Sequence, residues 1–242
     1  MQAIPEKSWI SWDIVSEDAI ETDTEKVEAV AAWPAPECVR DLRSLIGLRS
    51  YYRRFVKGFA EIAAPLHALT GKYAQFEWSE ECQTAFEKLN GALTTSPVLA
   101  IPSDIGRYIL YTDVNESSIG AVLSQRQHGE ERAIAYADRM YNKAERNYCT
   151  TRKELFAVVY FLRQFKQYLL DARFLVRTDH AVLTCLQRAS ELMGQQERWQ
   201  ERLQEYMFDI EHRPGHKHGN AEIFHVDRVG GLNVVFQNET VF

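Results

Sequence analysis

The sequence lacks any C-x-x-C pair. Its four cysteines, Cys38, Cys82, Cys149 and Cys185, stand far apart. That spacing argues against a zinc site and against a disulfide framework, and it fits a reducing compartment. No run of about 18 apolar residues occurs, and Met1–Lys7 holds no apolar signal core, so neither a membrane span nor secretion is expected. The expected location is intracellular, cytoplasm or nucleus. A positive balance is missing too: 28 Lys and Arg against 34 Asp and Glu leave a formal net charge of −6. Any surface for a polyanion must therefore be local. Internal repeats and low-complexity segments are also absent. What is present is core material, since 45% of the 242 residues are hydrophobic and 12% aromatic. That composition suits a globular chain of one or two domains.

Trp9, Ile10, Trp12, Ile14 and Val15 read as a strand, Ser16-Glu17-Asp18 as a turn and Lys26–Ala32 as a short helix that ends before Pro34. Residues 37–70 carry Leu42, Leu45, Ile46, Leu48, Tyr52, Phe55, Val56 and Phe59, recurring at spacings of three and four, the mark of helices. A second helix is expected over Glu80–Leu93 from the cap candidate Ser79, and Ile101–Gly106 is the best domain boundary. The pattern then changes. Strands are expected at Arg107–Thr112, Ile119–Gln125 and Arg132–Ala137, the last two joined by a turn at His128-Gly129. A long helix, Lys153–Leu170, leads to a fourth strand, Phe174–Thr178. Short helices follow at Val182–Gln187 and Gln195–Tyr206, then a fifth strand, Phe208–His212, and a final turn or helix near Asn220. This is an α/β order around a mixed sheet.

Four acidic residues sit where such folds place chemistry. Asp113 ends the first of these strands, Glu154 lies in the first turn of the long helix, Asp179 ends the fourth strand and Glu222 opens the last element. If the first and fourth strands are neighbours, Asp113 and Asp179 emerge side by side. Converging carboxylates repel one another and call for a cation. Oxygen-only ligands suit hard Mg²⁺. Two such ions about 4 Å apart can activate water and steady a leaving oxygen in phosphodiester cleavage. Each residue also has an ordinary reading: Asp113 with Asn115 as a turn, Thr151–Glu154 as a capping box, Asp179 as a helix cap, Glu222 as a solvated charge.

Further segments carry a resemblance. They are Lys26-Val27-Glu28-Ala29-Val30 with Trp33-Pro34, Leu42-Arg43-Ser44-Leu45-Ile46-Gly47-Leu48 with Tyr51-Tyr52-Arg53-Arg54-Phe55, and Phe76-Glu77-Trp78 with Cys82 and Ala85-Phe86. Ile119–Gln125, Arg177-Thr178-Asp179-His180 and His212-Arg213-Pro214-Gly215 continue the series. In this order they resemble the Pol polyproteins of gypsy-type long-terminal-repeat retrotransposons, from about Ile10 to Glu222. The resemblance implies an RNase H-like mixed five-stranded sheet with flanking helices over 104–228. Ahead of it would come the end of a reverse transcriptase palm, a primer-grip-like hairpin, over 1–35, and a small, mostly helical thumb or connection over 36–103. Residues 229–242 would form a tail. Asp113, Glu154 and Asp179 match the family's first three metal-binding carboxylates, and Glu222 stands at the fourth. The implied activity is endonucleolytic cleavage of the RNA strand of an RNA–DNA hybrid with two Mg²⁺ or Mn²⁺ ions, the 2′-OH distinguishing RNA from DNA.

The departures are specific. The family's N-A-D-A-L-S-R reads Asn220-Ala221-Glu222-Ile223-Phe224-His225-Val226, and the Ala-Ser after the first aspartate is Val114-Asn115. No Y-x-D-D occurs, so polymerisation is not expected of these residues. Fingers and palm would have to come from elsewhere in a polyprotein. Residues 40–57 hold six basic residues against the single acid Asp41, a local net charge of +5, interleaved with tyrosines. Arg49, Tyr52, Arg53, Arg54 and Lys57 are the expected nucleic-acid contacts, set against the commoner reading of a solvated basic face. His216 is placed to shuttle a proton, and equally fits an exposed loop. The alternative to an enzyme is a catalytically dead relic that folds and binds nucleic acid; the altered 223–226 segment favours it.

Overall fold

The computed structural model describes residues 8–10, 13–15, 19–22, 34–94, 99–178, 194–212, 223–226 and 232–234. The chain divides into two compact units. The first comprises 1–102 and 133–140, the second 103–132 and 141–242.

In the first unit, three short strands, β1 (Ser8–Ile10), β2 (Asp13–Val15) and β3 (Ala19–Thr22), form an antiparallel sheet with β4 (Leu99–Ala100), in sequential order. Trp9 and Ile14, expected on one strand, lie on two that pair with each other. The Ser16–Asp18 turn and the Lys26–Ala32 helix lie outside the described residues. Helix α1 (Val39–Tyr51) runs into a 3-10 turn (Tyr52–Phe55), followed by α2 (Phe59–Ala68) and α3 (Glu80–Thr94). The α3 start is as the sequence implies. The Ser79 hydroxyl accepts the Cys82 N–H at 3.3 Å, and Glu80 and Glu81 occupy the first turn, where the helix dipole favours acids. Leu42, Leu45, Phe55, Leu66, Leu89 and Leu93 form the centre of this unit's core.

A second sheet has the order β11-β10-β9-β8-β5-β6-β7, and all of it except residues 133–140 of the last strand belongs to the second unit. Its strands are β5 (Tyr108–Val114), β6 (Ser118–Gln127), β7 (Glu130–Met140), β8 (Arg173–Thr178), β9 (Met207–His212), β10 (Ile223–Val226) and β11 (Leu232–Val234). β5 pairs antiparallel with β6 and parallel with β8, and β8 pairs parallel with β9. The expected five-stranded mixed sheet is therefore present, and two antiparallel strands extend it beyond β9. These additions fall where a turn or helix and a tail were expected. Ile223-Phe224-His225-Val226 is β-branched and aromatic, which suits a strand better than a helix. The β6–β7 hairpin turns on His128 and Gly129, both at positive φ (52° and 88°), the backbone of a two-residue primed turn.

Two helices, α4 (Thr150–Gln164) and α5 (Lys166–Leu169), replace the single expected helix and are separated at Phe165, where φ −100° and ψ 20° leave helical geometry. α4 packs on β5 and on α6 (Gln195–Leu203), burying Leu155, Val158 and Leu162. The helix expected at Val182–Gln187 lies outside the described residues. Leu110, Val176, Phe174, Phe208 and Ile210 supply the core from the sheet.

Phe174 has no exposed surface, stacks on Phe208 at 5.4 Å and meets Tyr206 edge-on at 6.3 Å. Phe174→Ala should cost about 3–5 kcal/mol of unfolding free energy in a urea titration. Tyr73→Ala, at a residue 88% exposed, should stay within about 0.5 kcal/mol of the parent.

Candidate active site

Asp113 sits inside β5, not at its end, because the strand continues to Val114. Its side chain is exposed. Across the ladder it faces Gly120, and a Cβ built on Gly120 meets nothing within 4 Å, so the space beside the carboxylate is open. Asp113 has no hydrogen bond or ion pair among the described residues. The turn that follows is made by Asn115 instead. Its Oδ1 accepts the N–H groups of Ser117 and Ser118 at 2.9 and 2.6 Å and both serine hydroxyls at 3.2 and 3.1 Å, an Asx turn. The departure to Val114-Asn115 thus has a structural account, and Asp113 is left over for another task.

Glu154 is buried, 6% exposed, on α4. It lies beyond the first turn, where it was expected. The helix begins at Thr150 with Cys149 at the N-cap and no side-chain cap bond, so Thr151 does not cap and the capping-box reading fails. The preceding residue, Lys153, donates to the Glu116 carbonyl at 3.4 Å. Glu116 is three residues past Asp113, so this bond ties the start of α4 to the same sheet end as Asp113. Asp179, Glu222 and His216 lie outside the described residues; β8 is described to Thr178 and β10 from Ile223. Among the described residues no three His, Cys, Asp or Glu form a metal-holding group. The two described carboxylates are oxygen donors, one of them unpaired beside open space. That chemistry suits a hard divalent ion.

Sequence reasoning passed over Arg177. Its guanidinium donates Nε–H to Glu211 and Nη1–H groups to the Tyr111 hydroxyl and to Glu131, the last at 2.6 Å. Tyr111 also donates to Glu131. Burial works against the Arg177 charge, but the bonds to Glu211 and Glu131 outweigh it and hold the guanidinium more firmly protonated than a free arginine. Burial also opposes the Glu131 charge, yet Tyr111 and Arg177 together keep that carboxyl below its ordinary range. The available signal was period-two alternation, which puts Tyr111 and Asp113 on one face of β5.

The basic segment of the first unit requires correction. Arg49 and Tyr52 are both 0% exposed and cannot reach a phosphate at the surface. Arg49 donates to Asn90 Oδ1 and lies 4.4 Å from the Phe86 ring centroid, and burial lowers its guanidinium to about 10. Arg53 is half-exposed but bonded to the Asp138 carbonyl at 2.5 Å, with its guanidinium 3.6 Å from the Asp138 carboxylate. Arg54 is half-buried, 5.0 Å from the Phe55 ring centroid, and Lys57 is exposed.

Residues 106–206 match the RNase H-like domain found in reverse transcriptase, which defines the class of the second unit. Over most of its length the chain is similar to transposon Pol polyproteins. It is 35% identical over 210 residues to the Retrovirus-related Pol polyprotein from transposon 297 of Drosophila melanogaster, covering 86% of this chain and 20% of that protein. It is 33% identical over 240 residues to the counterpart from transposon gypsy of the same organism, covering 93% and 22%. The chain thus spans about a fifth of the length of these curated relatives. Among solved structures, the foamy viral protease-reverse transcriptase in complex with dsDNA superposes with a TM-score of 0.74 at 17% identity, covering 89% of this chain and 46% of that one. The same viral protein in complex with an RNA/DNA hybrid gives 0.71 at 17% identity, covering 98% and 32%. No helix among the described residues is long and apolar enough to cross a membrane.

Asp138 offers a pH test of the first unit. Burial raises its carboxyl above the ordinary range, against the opposing Ala60 N–H bond and Arg53. A raised folded value means the group favours the fold most when protonated. That contribution is complete below its unfolded value of about 4 and is lost as pH rises through the folded value. Asp138→Asn keeps an acceptor for Ala60, so its stability should fall less than that of the parent as pH rises from about 4. Parallel stability–pH curves from thermal melts would contradict this.

Proposed function

We propose that this chain is the RNase H portion of a retrotransposon reverse transcriptase and hydrolyses the RNA strand of an RNA–DNA hybrid. The observation that carries the reading is the unpaired, exposed carboxylate of Asp113 on the central strand of a domain matching the RNase H-like family; the helix that carries the buried Glu154 is bonded through Lys153 to the turn after that strand. In this reading Asp113, Glu154, Asp179 and Glu222 hold two Mg²⁺ or Mn²⁺ ions. Those ions, when bound, activate a water and steady the leaving oxygen. Asp113 supplies a fixed, unshared pair of oxygens from a rigid strand. Glu154 supplies a carboxylate whose burial keeps competing water away. His216, six residues before Glu222 in sequence, would shuttle a proton.

The hybrid found with the foamy viral protein suits this substrate class. We assign 1–35 to the end of a palm, 36–103 to a thumb or connection, 104–228 to the nuclease domain and 229–242 to a tail. Polymerisation is not assigned to these residues, which hold no Y-x-D-D. One observation favours a second reading, a relic that binds without cutting: the segment after Glu222 is a strand, where the sequence pattern left room for a helix.

Asp113→Asn separates the two. Loss of an exposed charge opens no cavity, so the variant should melt as the parent does while hybrid cleavage in Mg²⁺ falls to background. A parent chain that leaves the labelled hybrid intact in both Mg²⁺ and Mn²⁺ would favour the relic.

Binding of phosphate by the first unit rests on Arg54 and Lys57. Changing both to Ala should flatten the log–log salt dependence of hybrid binding by about 0.9 for each phosphate no longer neutralised. Arg49→Met should leave that slope unchanged, because Arg49 is buried.

A further inference from the structure

β5 and β8 carry the same short pattern in parallel register. Tyr111-Thr112-Asp113 runs beside Arg177-Thr178, and Asp179 follows in sequence. Tyr111 pairs with Arg177 across the ladder. Residues two apart on a strand share a face, so Tyr111 and Asp113 point to one side, and Thr112 points to the other.

The Arg177 guanidinium is 10% exposed and joins four strands. From β8 it reaches Tyr111 on β5, Glu131 on β7 and Glu211 on β9. Arg126 of β6 stands 3.8 Å from Glu131, so the fifth strand meets the same group. Adjacent strands are about 4.8 Å apart, so a single side chain links this many strands only through charge-assisted bonds to long partners. The planar fork of arginine supplies several donors at fixed angles, and an ammonium does not. Backbone ladders already pair β5 with β8 and β8 with β9, so the group adds side-chain ties to strands that are paired without it. What it fixes is the spacing of strand ends on the row next to Asp113.

We propose that Arg177 is a positioning residue for the metal-binding carboxylates, acting through Tyr111, Glu131 and Glu211 to set where Asp113 is held relative to its neighbours. The proposal rests on the carboxylate site described above. Octahedral Mg²⁺ tolerates ligand displacement poorly, so loosened strand ends should appear first as a weaker hold on metal. Outer-shell partners of metal ligands typically change affinity by about 10–100-fold when removed.

The test uses the full chain with Arg177→Met, Arg177→Lys and Tyr111→Phe. Thermal melts establish the folded fraction. The Mg²⁺ concentration for half-maximal hybrid cleavage and the affinity for Mn²⁺, read by electron paramagnetic resonance, establish the site. Arg177→Met should raise the half-maximal Mg²⁺ about tenfold or more, with kcat recovered at saturating metal and Mn²⁺ affinity weakened in parallel. Arg177→Lys should restore only part of the loss. Tyr111→Phe removes two bonds and no charge, so it keeps the test intact if Arg177→Met does not fold, and it should shift both readouts in the same direction by less. A purely structural Arg177 would lower the melting temperature and leave the metal requirement of folded protein unmoved, which overturns the proposal. A parent chain that binds Mn²⁺ in an Arg177-dependent way but does not cut hybrid would defeat the nuclease reading and leave the positioning role standing.

Discussion

The parallel pairing of β5 with β8 is the constraint on which the second unit depends. Ile109, Leu110 and Tyr111 align with Leu175, Val176 and Arg177, and β8 carries β9 alongside in the same direction. Parallel neighbours present their C-terminal ends at one edge of the sheet. The apolar side of this pairing, Leu110, Val176 and Ile210, is buried, and α4 packs on β5. The polar side is clamped by Arg177. A carboxylate near the C-terminal end of such a strand has a stiff backbone beneath it, and Asp113, one residue before the end of β5, also has open space beside it.

Stiffness matters because the chemistry proposed here tolerates little motion. The group around Arg177 is nearly balanced in charge, with Arg126 and Arg177 facing Glu131 and Glu211. Removing one member of such a group strands a part-buried charge, which is costlier than the pair is stabilising. The same logic holds in the first unit. There the Asp138 carboxylate takes up the Ala60 N–H at the start of α2 while Arg53 stands beside it. An arginine that looks like a phosphate ligand in sequence is thereby partly committed to holding its own fold.

Much of this was legible in the sequence, and the reasons are local. Ser79 and the periodic Cys82, Phe86 and Leu89 announce α3, and His128-Gly129 announces the β6–β7 turn. The short apolar run Phe174-Leu175-Val176 announces β8. The boundaries of α4 were harder, since nothing in Cys149-Thr150 caps the helix by side chain. Long-range pairing hid β4 and β11, which are too short to stand alone. Arg49 was misjudged because residue type was weighed above position. It falls three and four residues beyond Ile46 and Leu45 and three before Tyr52, on the apolar stripe of the helix, and that spacing places it inside. Of the candidate site, motif and element order put Asp113 on β5 and Glu154 on α4, though not at the strand end and first turn expected of them. The bonds of Arg177 to three other strands could not be read this way, because side-chain reach across a sheet leaves no trace in spacing.

The central claim is that the carboxylates at this sheet end support metal-dependent hydrolysis of RNA paired with DNA. The most direct measurement is end-group analysis of a doubly labelled RNA–DNA hybrid after incubation of the full chain with Mg²⁺. Hydrolysis by activated water leaves a 5′-phosphate and a 3′-hydroxyl on the RNA fragments, with the DNA strand whole and no products when Mg²⁺ is chelated. Fragments ending in 2′,3′-cyclic phosphate, cuts in the DNA strand, or cleavage that survives chelation would contradict it.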